Sequence, residues 1–397
     1  MKLSRRIQDI QPSATMKTLG LAKQLQAEGV DMINMGIGEP DFTTPEVIET
    51  AAITAIKTGK ASFYTPASGL KELKQAISDH FADAFHLNYD LDQIAVTTGA
   101  KMALYATFQA ILDPGDEVLL PEPYWVSYAE QIKLAGAKPV AAPLDANGRL
   151  TVDLLAAKAT DQTKAIILNS PQNPTGEIYS RDELIAFGNW AVHQGIVIIS
   201  DEIYGELVYN GQTFHSMGAL GEQIKAQTII INGVSKTYSM TGWRIGIVMG
   251  DAQMIKAISA FVSHATGNPA AVSQYASIEA FRSGATAAEK MRKEFETRLN
   301  TIYPKLVAIP GFRLTKKPEG AFYLFPNIEE ALALTQLSST EFVSGLLTEA
   351  HVAVVDGIVF GVPGHIRLSY ALSLEQLETG VERIKNFVIK NSSGGKN

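Results

Sequence analysis

The sequence predicts an α/β protein with a mainly parallel, doubly wound sheet in a large unit, followed by a smaller α+β unit. Short apolar runs alternate with segments of helical periodicity from about Asp92 onward. Such alternation is typical of strand–helix–strand crossovers. Most runs are rich in Val and Ile and apolar on both faces, as strands are when helices cover both sides of a sheet. After Gly250 this alternation gives way to long helical stretches.

Seven apolar runs are the candidate strands of the large sheet. They occupy residues 94–98, 117–120, 139–142, 165–169, 196–200, 228–231 and 244–249. The amphipathic stretches between them include residues 101–112, 128–134 and 181–193. Because these stretches have the periodicity of helices, they are the candidate crossover connections.

The second unit carries a different pattern. Helical stretches at residues 252–264, 270–282 and 287–309 lead into it, and the last of them stops at Pro310 and Gly311. Strand-like runs follow at 320–325, 352–355 and 366–370, with helices at 339–350 and 374–390. Ser373 is placed to cap the last helix.

The segment before Pro45 is too short to fold alone, and we expect it to pack on this second unit. We therefore predict a large domain at residues 46–285. Residues 1–45 and 286–397 then form the small domain.

Composition excludes several classes of function. The chain has 397 residues, a net charge of −7 and no cysteine. Disulfides, thiolate catalysis and cysteine-ligated metals are excluded, and the acidic balance argues against nucleic acid as the main partner. No stretch is apolar enough for a membrane span or a signal peptide. We expect a cytoplasmic protein of enzyme size with no metal site.

The most informative stretch surrounds Lys236. This lysine follows an apolar run in a turn rich in hydroxyl groups, and Arg244 enters the next candidate strand. Lysines usually lie on solvated faces. A lysine partly removed from water beside another cation has a lowered pKa, which is what Schiff-base chemistry requires. A phosphate-binding loop of the nucleotide-binding kind is excluded, because no glycine immediately precedes Lys236 and the glycine spacing is wrong.

Two further polar sites follow apolar strands. Asp201 and Glu202 end one strand, and the carboxyl ends of strands face the ligand crevice in doubly wound sheets. An acidic strand end serves equally well as a metal ligand or a helix cap. Asn173 lies in a loop with two prolines, which hold its amide in a fixed direction. A plain proline and glycine turn is the alternative for that loop.

Three further groups of candidate functional residues have weaker support from the sequence. At Gly99 and Ala100 a strand passes through a small-residue turn into a helix, which exposes backbone N–H groups to an anion. Trp125 either stacks on a flat ring or belongs to the core. Arg367 lies on an apolar strand, where it either faces solvent or binds a carboxylate with its guanidinium fork.

The motifs, and their order along the chain, resemble those of the class I/II aminotransferases. These enzymes belong to fold type I of the pyridoxal-phosphate enzymes. The resemblance runs from the segment GIGEPDF at residues 36–42 to Arg367, and the segment SKTYSMTGWR at residues 235–244 is highly specific. Residues 12–15, 99–101 and 124–128 are most similar to bacterial aspartate aminotransferases.

The resemblance implies pyridoxal 5′-phosphate as the cofactor and gives each matching residue a role. Lys236 binds the cofactor covalently, Asp201 pairs with its ring nitrogen, and Tyr204 contacts its ring oxygen. These three are the implied catalytic residues. The other implied cofactor contacts are Asn173 at the ring oxygen, Trp125 on the ring face, Gly99, Ala100, Ser235 and Arg244 at the phosphate, and Tyr64, donated across a homodimer interface.

The resemblance also implies how the substrate binds. Arg367, Asn173, Trp125 and the backbone at Gly38 line the site of the amino acid and its α-carboxylate. Lys101, Ser13 and Thr15 are the candidate partners of a distal carboxylate, which selects aspartate and glutamate; a solvated lysine and a helix cap are the alternatives.

The function implied is a ping-pong transfer of the amino group of L-aspartate to 2-oxoglutarate. Alternatives are an aminotransferase for aromatic or prephenate-type substrates, a pyridoxal-phosphate lyase and a non-enzymatic regulator. Asp356 departs from the family, since many relatives have proline there. We expect this departure to alter the rigidity of the neighbouring loop.

Overall fold

The structure, a computed structural model, describes residues 3–8, 10, 14–145 and 148–392. Its strands are β1 (Ile33–Asn34), β2 (Ile94–Thr97), β3 (Glu117–Pro121), β4 (Lys138–Ala142), β5 (Thr163–Asn169), β6 (Val197–Asp201), β7 (Thr228–Gly233), β8 (Gly246–Met249), β9 (Tyr323–Leu324), β10 (Val352–Ala353), β11 (Val355–Asp356) and β12 (Ile366–Ser369).

The helices are distributed along the whole described chain. They are α1 (Arg5–Gln8), α2 (Ala14–Ala27), α3 (Glu46–Lys57), α4 (Lys71–Phe85), α5 (Ala100–Ile111), α6 (Ser127–Leu134), α7 (Val152–Lys158), α8 (Arg181–Gln194), α9 (Glu222–Ala226), α10 (Ala252–Ala265), α11 (Ala271–Ser283), α12 (Ala285–Val307), α13 (Glu329–Thr335), α14 (Ser339–Thr348) and α15 (Leu374–Asn391). Among the residues that the structure describes, no helix is long and apolar enough to cross a membrane.

A seven-stranded sheet has the order β2-β8-β7-β6-β5-β3-β4. Neighbouring strands from β7 to β4 pair in parallel, while β8 runs antiparallel to both of its neighbours. Every residue of β7 and all but the first of β6 are buried, as expected for strands with helices on both faces. The predicted α/β fold with a mainly parallel sheet is confirmed.

Several predicted strand bounds were wrong. Arg244 lies outside β8, because its φ of 58° belongs to a left-handed turn that precedes the strand. The strand predicted at 196–200 lies one residue later and includes Asp201. The runs at 320–325 and 352–355 contain only short strands, since β9 has two residues and β10 and β11 are separate.

The predicted helices begin and end within two residues of the observed ones. Helix α8 begins at a reciprocal capping pair in which Ser180 and Glu183 each bind the other's backbone N–H. It ends at Gly195, whose φ of 68° suits a residue without a side chain. Ser373 caps α15 as predicted, because its side chain accepts the N–H of Gln376.

Two smaller sheets are formed, and one of them joins the N-terminal segment to the C-terminal part. Strands β11, β12 and β9 form an antiparallel sheet. Strand β1 pairs in parallel with β10 through Ile33 and Val352, so the segment before Pro45 packs on the C-terminal strands as expected. The division into domains at residues 46 and 285 stays a prediction.

Glu202 is a buried carboxyl group behind the end of β6, and its side chain is 1% exposed. Its Oε1 accepts hydrogen bonds from Ser200 Oγ at 2.8 Å, Ser216 Oγ at 3.0 Å and Met217 N at 3.0 Å, whereas Oε2 has no partner among the described atoms. Burial raises the pKa of Glu202 to about 7, although the three donors oppose the shift. Below about pH 7, the folded protein therefore favours the protonated form of Glu202.

A Glu202→Gln variant should change how stability depends on pH. The raised pKa means that wild type loses stability as pH rises from the unfolded pKa near 4.3 to about 7, because the folded state resists ionisation. Glutamine cannot ionise and resembles the protonated acid. We expect equal stability near pH 4 and a variant more stable by up to about 3 kcal/mol near pH 8.5.

Denaturant unfolding of both proteins across this pH range measures the difference. Tyr89 does not titrate in this pH range, because burial raises its pKa well above the usual tyrosine value, and Asp201 is present in both proteins. A difference in unfolding free energy that does not change with pH contradicts a buried, protonated Glu202.

Candidate active site

A cavity of about 490 Å³ opens at the carboxyl ends of β5, β6 and β7. Strand β5 ends at Asn169 and β6 at Asp201, and these two residues are register partners. The loop after β7 carries Lys236 into the same space. The cavity brings together most of the residues predicted from sequence, namely Gly38, Ala100, Lys101, Trp125, Asn173, Asp201, Tyr204, Ser235, Lys236, Arg244 and Arg367.

Lys236 is half-buried in this cavity. Its Nζ donates a hydrogen bond of 2.5 Å to the carbonyl of Gly38 and lies 5.9 Å from the centre of the Tyr204 ring. Burial lowers the pKa of Lys236 to about 8; Glu39 opposes that shift, and Arg367 adds to it. An amine with this pKa exists partly as the neutral base near neutral pH, which is the form that acts as a nucleophile.

Asp201 lies at the floor of the cavity with a side chain 4% exposed. Its Oδ2 accepts a 2.6 Å hydrogen bond from the Tyr128 hydroxyl, and Oδ1 accepts the N–H of Ile203 at 3.2 Å. The amide of Asn169 binds its carbonyl oxygen at 2.9 Å. Burial raises the pKa of Asp201 to about 6, against the effect of the Tyr128 hydroxyl, the Ile203 N–H and Lys236. A positively charged ring nitrogen nearby would stabilise the carboxylate.

Arg367 is the buried cation on the opposite side of the cavity. It is 2% exposed, so the alternative of a solvated strand face is excluded. Its Nη1 donates to Asn173 Oδ1 and its Nη2 to the carbonyl of Gly36, both at 2.9 Å. The guanidinium lies between the rings of Tyr323 and Phe360, at 4.6 Å and 5.0 Å.

The charge of Arg367 is not matched by an acid in the described part of the chain. None of the ion pairs found there includes it, and its Nε is buried without a hydrogen-bond partner. Burial lowers its pKa from the usual arginine value. A buried guanidinium without a carboxylate partner is well suited to bind a carboxylate from a ligand.

The other end of the cavity is built for an anion. Helix α5 begins at Ala100, directly after Gly99 with its φ of 83°. A side chain at Gly99 would place its Cβ 2.1 Å from Arg244 Nη2, so only glycine lets the guanidinium approach the helix start. Arg244 Nη1 donates to the carbonyl of Thr241 at 2.8 Å, and Ser235 is buried beside the same cavity.

The residues predicted for side-chain specificity are only partly described. Lys101 lies in the first turn of α5 with its Nζ 4.9 Å from the centre of the Trp125 ring, and both residues line the cavity. Ser13 lies outside the described residues, as does the side chain of Thr15. Tyr64 is 99% exposed and does not line the cavity of its own chain.

Sequence reasoning missed two tyrosines. Tyr128 belongs to the same motif as Trp125 and lies in the first turn of α6, but its contact with Asp201 spans 73 residues. Tyr323 lies on the two-residue strand β9 and its hydroxyl is 2.8 Å from that of Tyr204. Nothing in the local pattern around Tyr323 indicates this contact.

Comparison with known proteins identifies the family. The model of the family described as "Aminotransferase class I and II" matches residues 30–384. The chain belongs to this family. An aspartate aminotransferase of Bacillus sp. (strain YM-2) is 50% identical to this aminotransferase over 389 residues, which cover 97% of this chain and 99% of that one.

Two further similarities extend over nearly full lengths. An asparagine–oxo-acid transaminase of Streptococcus mutans is 49% identical over 392 residues, covering 98% of this aminotransferase and 100% of its relative. The crystal structure of the aspartate aminotransferase from Rhizobium meliloti superimposes with a TM-score of 0.94 at 38% identity, covering 99% and 100%. The predicted family and fold are confirmed.

Tyr128→Phe removes the hydroxyl that donates to Asp201. Because this hydrogen bond stabilises the carboxylate, its loss raises the pKa of Asp201. We expect the fall of kcat on the acid side to move to higher pH, and kcat at neutral pH to drop about ten-fold. The pH profile of transamination measures both effects. Tyr105→Phe, on α5, is the control, and equal profiles for all three proteins contradict this role of Tyr128.

Proposed function

We propose that this aminotransferase is pyridoxal-phosphate dependent and transfers the amino group of L-aspartate to 2-oxoglutarate by a ping-pong mechanism. The observation that carries the proposal is one cavity holding Lys236 with a lowered pKa, a buried Asp201 and a buried Arg367 without an acidic partner. An amine nucleophile, a partner for a ring cation and a carboxylate site are the groups that this reaction requires.

The donor set fits pyridoxal phosphate. The start of α5, Ser235 and Arg244 suit its phosphate, and Asp201 suits its ring nitrogen. Tyr204 and Asn173 suit the ring oxygen, and Trp125 the ring face. When bound, the cofactor supplies an electron sink for the pair released as the Cα–H bond of the amino acid breaks.

Lys236 is proposed to move the proton. Its pKa of about 8 leaves a useful fraction of neutral Nζ near neutral pH, and this nitrogen accepts the proton that leaves the substrate Cα. Asp201 remains ionised beside the ring, held by Tyr128 and the N–H of Ile203. The neighbouring rings of Tyr204 and Phe322 keep water from the amine.

Arg367 and Asn173 are proposed to bind the α-carboxylate of both substrates. Asn173 holds the Arg367 fork at 2.9 Å and is itself fixed by Asn169. Gly38 supports this arrangement, because a Cβ there would lie 2.8 Å from the Tyr323 hydroxyl. The lack of a side chain therefore keeps the carboxylate site open.

Aspartate is proposed as the amino donor because Lys101 presents a cation to the cavity beside Trp125. Ser13 and Thr15 are proposed to assist it with the distal carboxylate. The names of the compared relatives, aspartate aminotransferase and asparagine–oxo-acid transaminase, support a substrate with a four-carbon skeleton. Asparagine is the second candidate donor.

A homodimer with shared active sites is proposed from the face around Tyr64. The exposed apolar side chains there are Val47, Ile53, Ile56, Phe63 and Tyr64, the last two at 74% and 99% exposure. Large exposed aromatic groups are typical of protein interfaces. Tyr64 would reach the phosphate site of the second copy.

Lys236→Ala tests the cofactor. Wild type incubated with pyridoxal phosphate and desalted should keep a visible absorbance band from the lysine-bound cofactor, and the variant should lose this band and nearly all activity. Lys256→Ala, an exposed lysine on α10, is the matched control and should behave as wild type. A wild-type protein without a visible band overturns cofactor dependence.

Lys101→Ala tests the substrate. Half-reaction rates with aspartate, asparagine, glutamate, alanine and phenylalanine define the preference of the wild type. If Lys101 binds the distal carboxylate, kcat/KM for aspartate should fall about 10- to 100-fold in the variant, because one charge-assisted hydrogen bond is lost. The kcat/KM for phenylalanine should change little. A wild type faster with phenylalanine than with aspartate contradicts the assignment and favours the aromatic alternative.

A further inference from the structure

Residues 36–44 form a strap that crosses the cavity wall between β12 and the Lys236 loop. The carbonyl of Gly36 accepts a hydrogen bond from Arg367 Nη2, and the carbonyl of Gly38 accepts one from Lys236 Nζ. Gly38 also lies against Tyr323 and Arg367, since a Cβ there would come within 2.8 Å and 3.9 Å of their side chains. The strap therefore touches two of the cations that the proposed reaction uses, Lys236 and Arg367.

No helix or strand holds the strap, because residues 37–45 have no regular secondary structure. Side-chain contacts fix it instead. Thr241 Oγ1 donates to Glu39 Oε2 at 3.0 Å, and Trp243 Nε1 donates to Thr44 Oγ1 at 2.9 Å. These two contacts attach the strap to the turn after Lys236.

The third attachment leads to Arg298 on α12. Arg298 is 5% exposed, and it and Arg367 are the two buried arginines in the described part of the chain. Its Nη1 donates to Asp41 Oδ1 at 2.7 Å. The guanidinium packs against the rings of Phe42 and Phe295, at 4.9 Å and 5.5 Å.

The surroundings of Arg298 make its pair with Asp41 stronger than a surface ion pair. Asp41 is itself 27% exposed, and two aromatic rings exclude water from the guanidinium. Removing the Asp41 carboxylate takes one acidic partner from a buried guanidinium, which costs more than losing an exposed pair. Helix α12 fixes the arginine, because Phe295 and Leu299 beside it are core residues.

We propose that Asp41 and Arg298 are positioning residues for substrate binding. Their ion pair holds the strap so that Gly36 and Gly38 keep the Arg367 guanidinium in the orientation that binds a carboxylate. This inference rests on the proposed role of Arg367. Neither residue lines the cavity, so they act through the strap rather than on the substrate.

The chain offers a matched control on the same arginine. Arg298 Nε also donates to Glu294 Oε1 at 3.1 Å, and no hydrogen bond or ion pair found in the described part of the chain joins Glu294 to the strap. Asp41→Asn and Glu294→Gln each remove one carboxylate from Arg298, but only the first loosens the strap. A role in stability alone would make the two variants alike.

The experiment uses the holoenzyme and succinate, a dicarboxylate that cannot react. For Asp41→Asn we expect the Kd of succinate, measured by calorimetry, to rise about ten-fold, the fold-change of one lost charge-assisted contact. The KM values of the best amino donor and of 2-oxoglutarate should rise by a similar factor, with kcat within about two-fold. Glu294→Gln should match wild type in all three quantities.

Arg298→Met and the double variant with Asp41→Asn test the coupling. If the two residues act as a pair, the double variant should bind succinate no more weakly than Arg298→Met alone. Additive losses, or equal losses in Asp41→Asn and Glu294→Gln, overturn the inference.

Arg367→Ala separates this inference from the function on which it rests. Succinate binding that is lost in Arg367→Ala but unchanged in Asp41→Asn overturns the role of the strap and leaves the proposed function intact. Succinate binding that is unchanged in Arg367→Ala overturns the carboxylate site, and the inference fails with it.

Discussion

The register of three parallel strands is the constraint on which the site depends. Asn169 at the end of β5 pairs with Asp201 at the end of β6, and Asp201 pairs with Ile231 in β7. Parallel strands of similar length end at one edge, so their loops begin side by side. The amide of Asn169 then crosses to the Asp201 carbonyl, and the chain after β7 brings Lys236 over the same carboxylate. A shift of one residue in either pairing would turn Asp201 away from the cavity.

The alternation of side chains at the end of β6 and one residue beyond it places two acids in different environments. Asp201 faces the cavity, whereas Glu202 faces the opposite side, among Ser200, Ser216 and the N–H of Met217. Burial raises the pKa of both. Asp201 has a cation-lined cavity in front of it that favours its ionised form, and Glu202 has only neutral donors. The neighbouring carboxyls therefore have different tasks, one at the site and one in the core.

Sequence patterns predicted those candidate site residues that lie next to a recognisable apolar strand. Lys236, Asp201 and Asn173 each follow an apolar strand, and strand ends can be read from composition alone. The left-handed turn at Arg244 has no such local signal, and its guanidinium lies over Gly99, a residue far away in sequence. Contacts between distant segments, such as Asp41 with Arg298 across 257 residues, leave no local pattern. Only the fold brings them together.

Asp356 replaces a proline that many relatives have, and the structure shows what this aspartate contacts. From the sequence, an aspartate at this position is expected to alter the rigidity of the loop that follows. The Asp356 Oδ1 accepts the N–H of Ile358 at 3.1 Å and the hydroxyl of Ser339 at 2.8 Å, so it caps the turn at Gly357–Phe360 and ties it to α14. That turn carries Phe360, whose ring lies 5.0 Å from the Arg367 guanidinium. Proline restrains a loop by fixing φ, whereas this aspartate restrains it by two hydrogen bonds, which help to hold the Phe360 ring against Arg367.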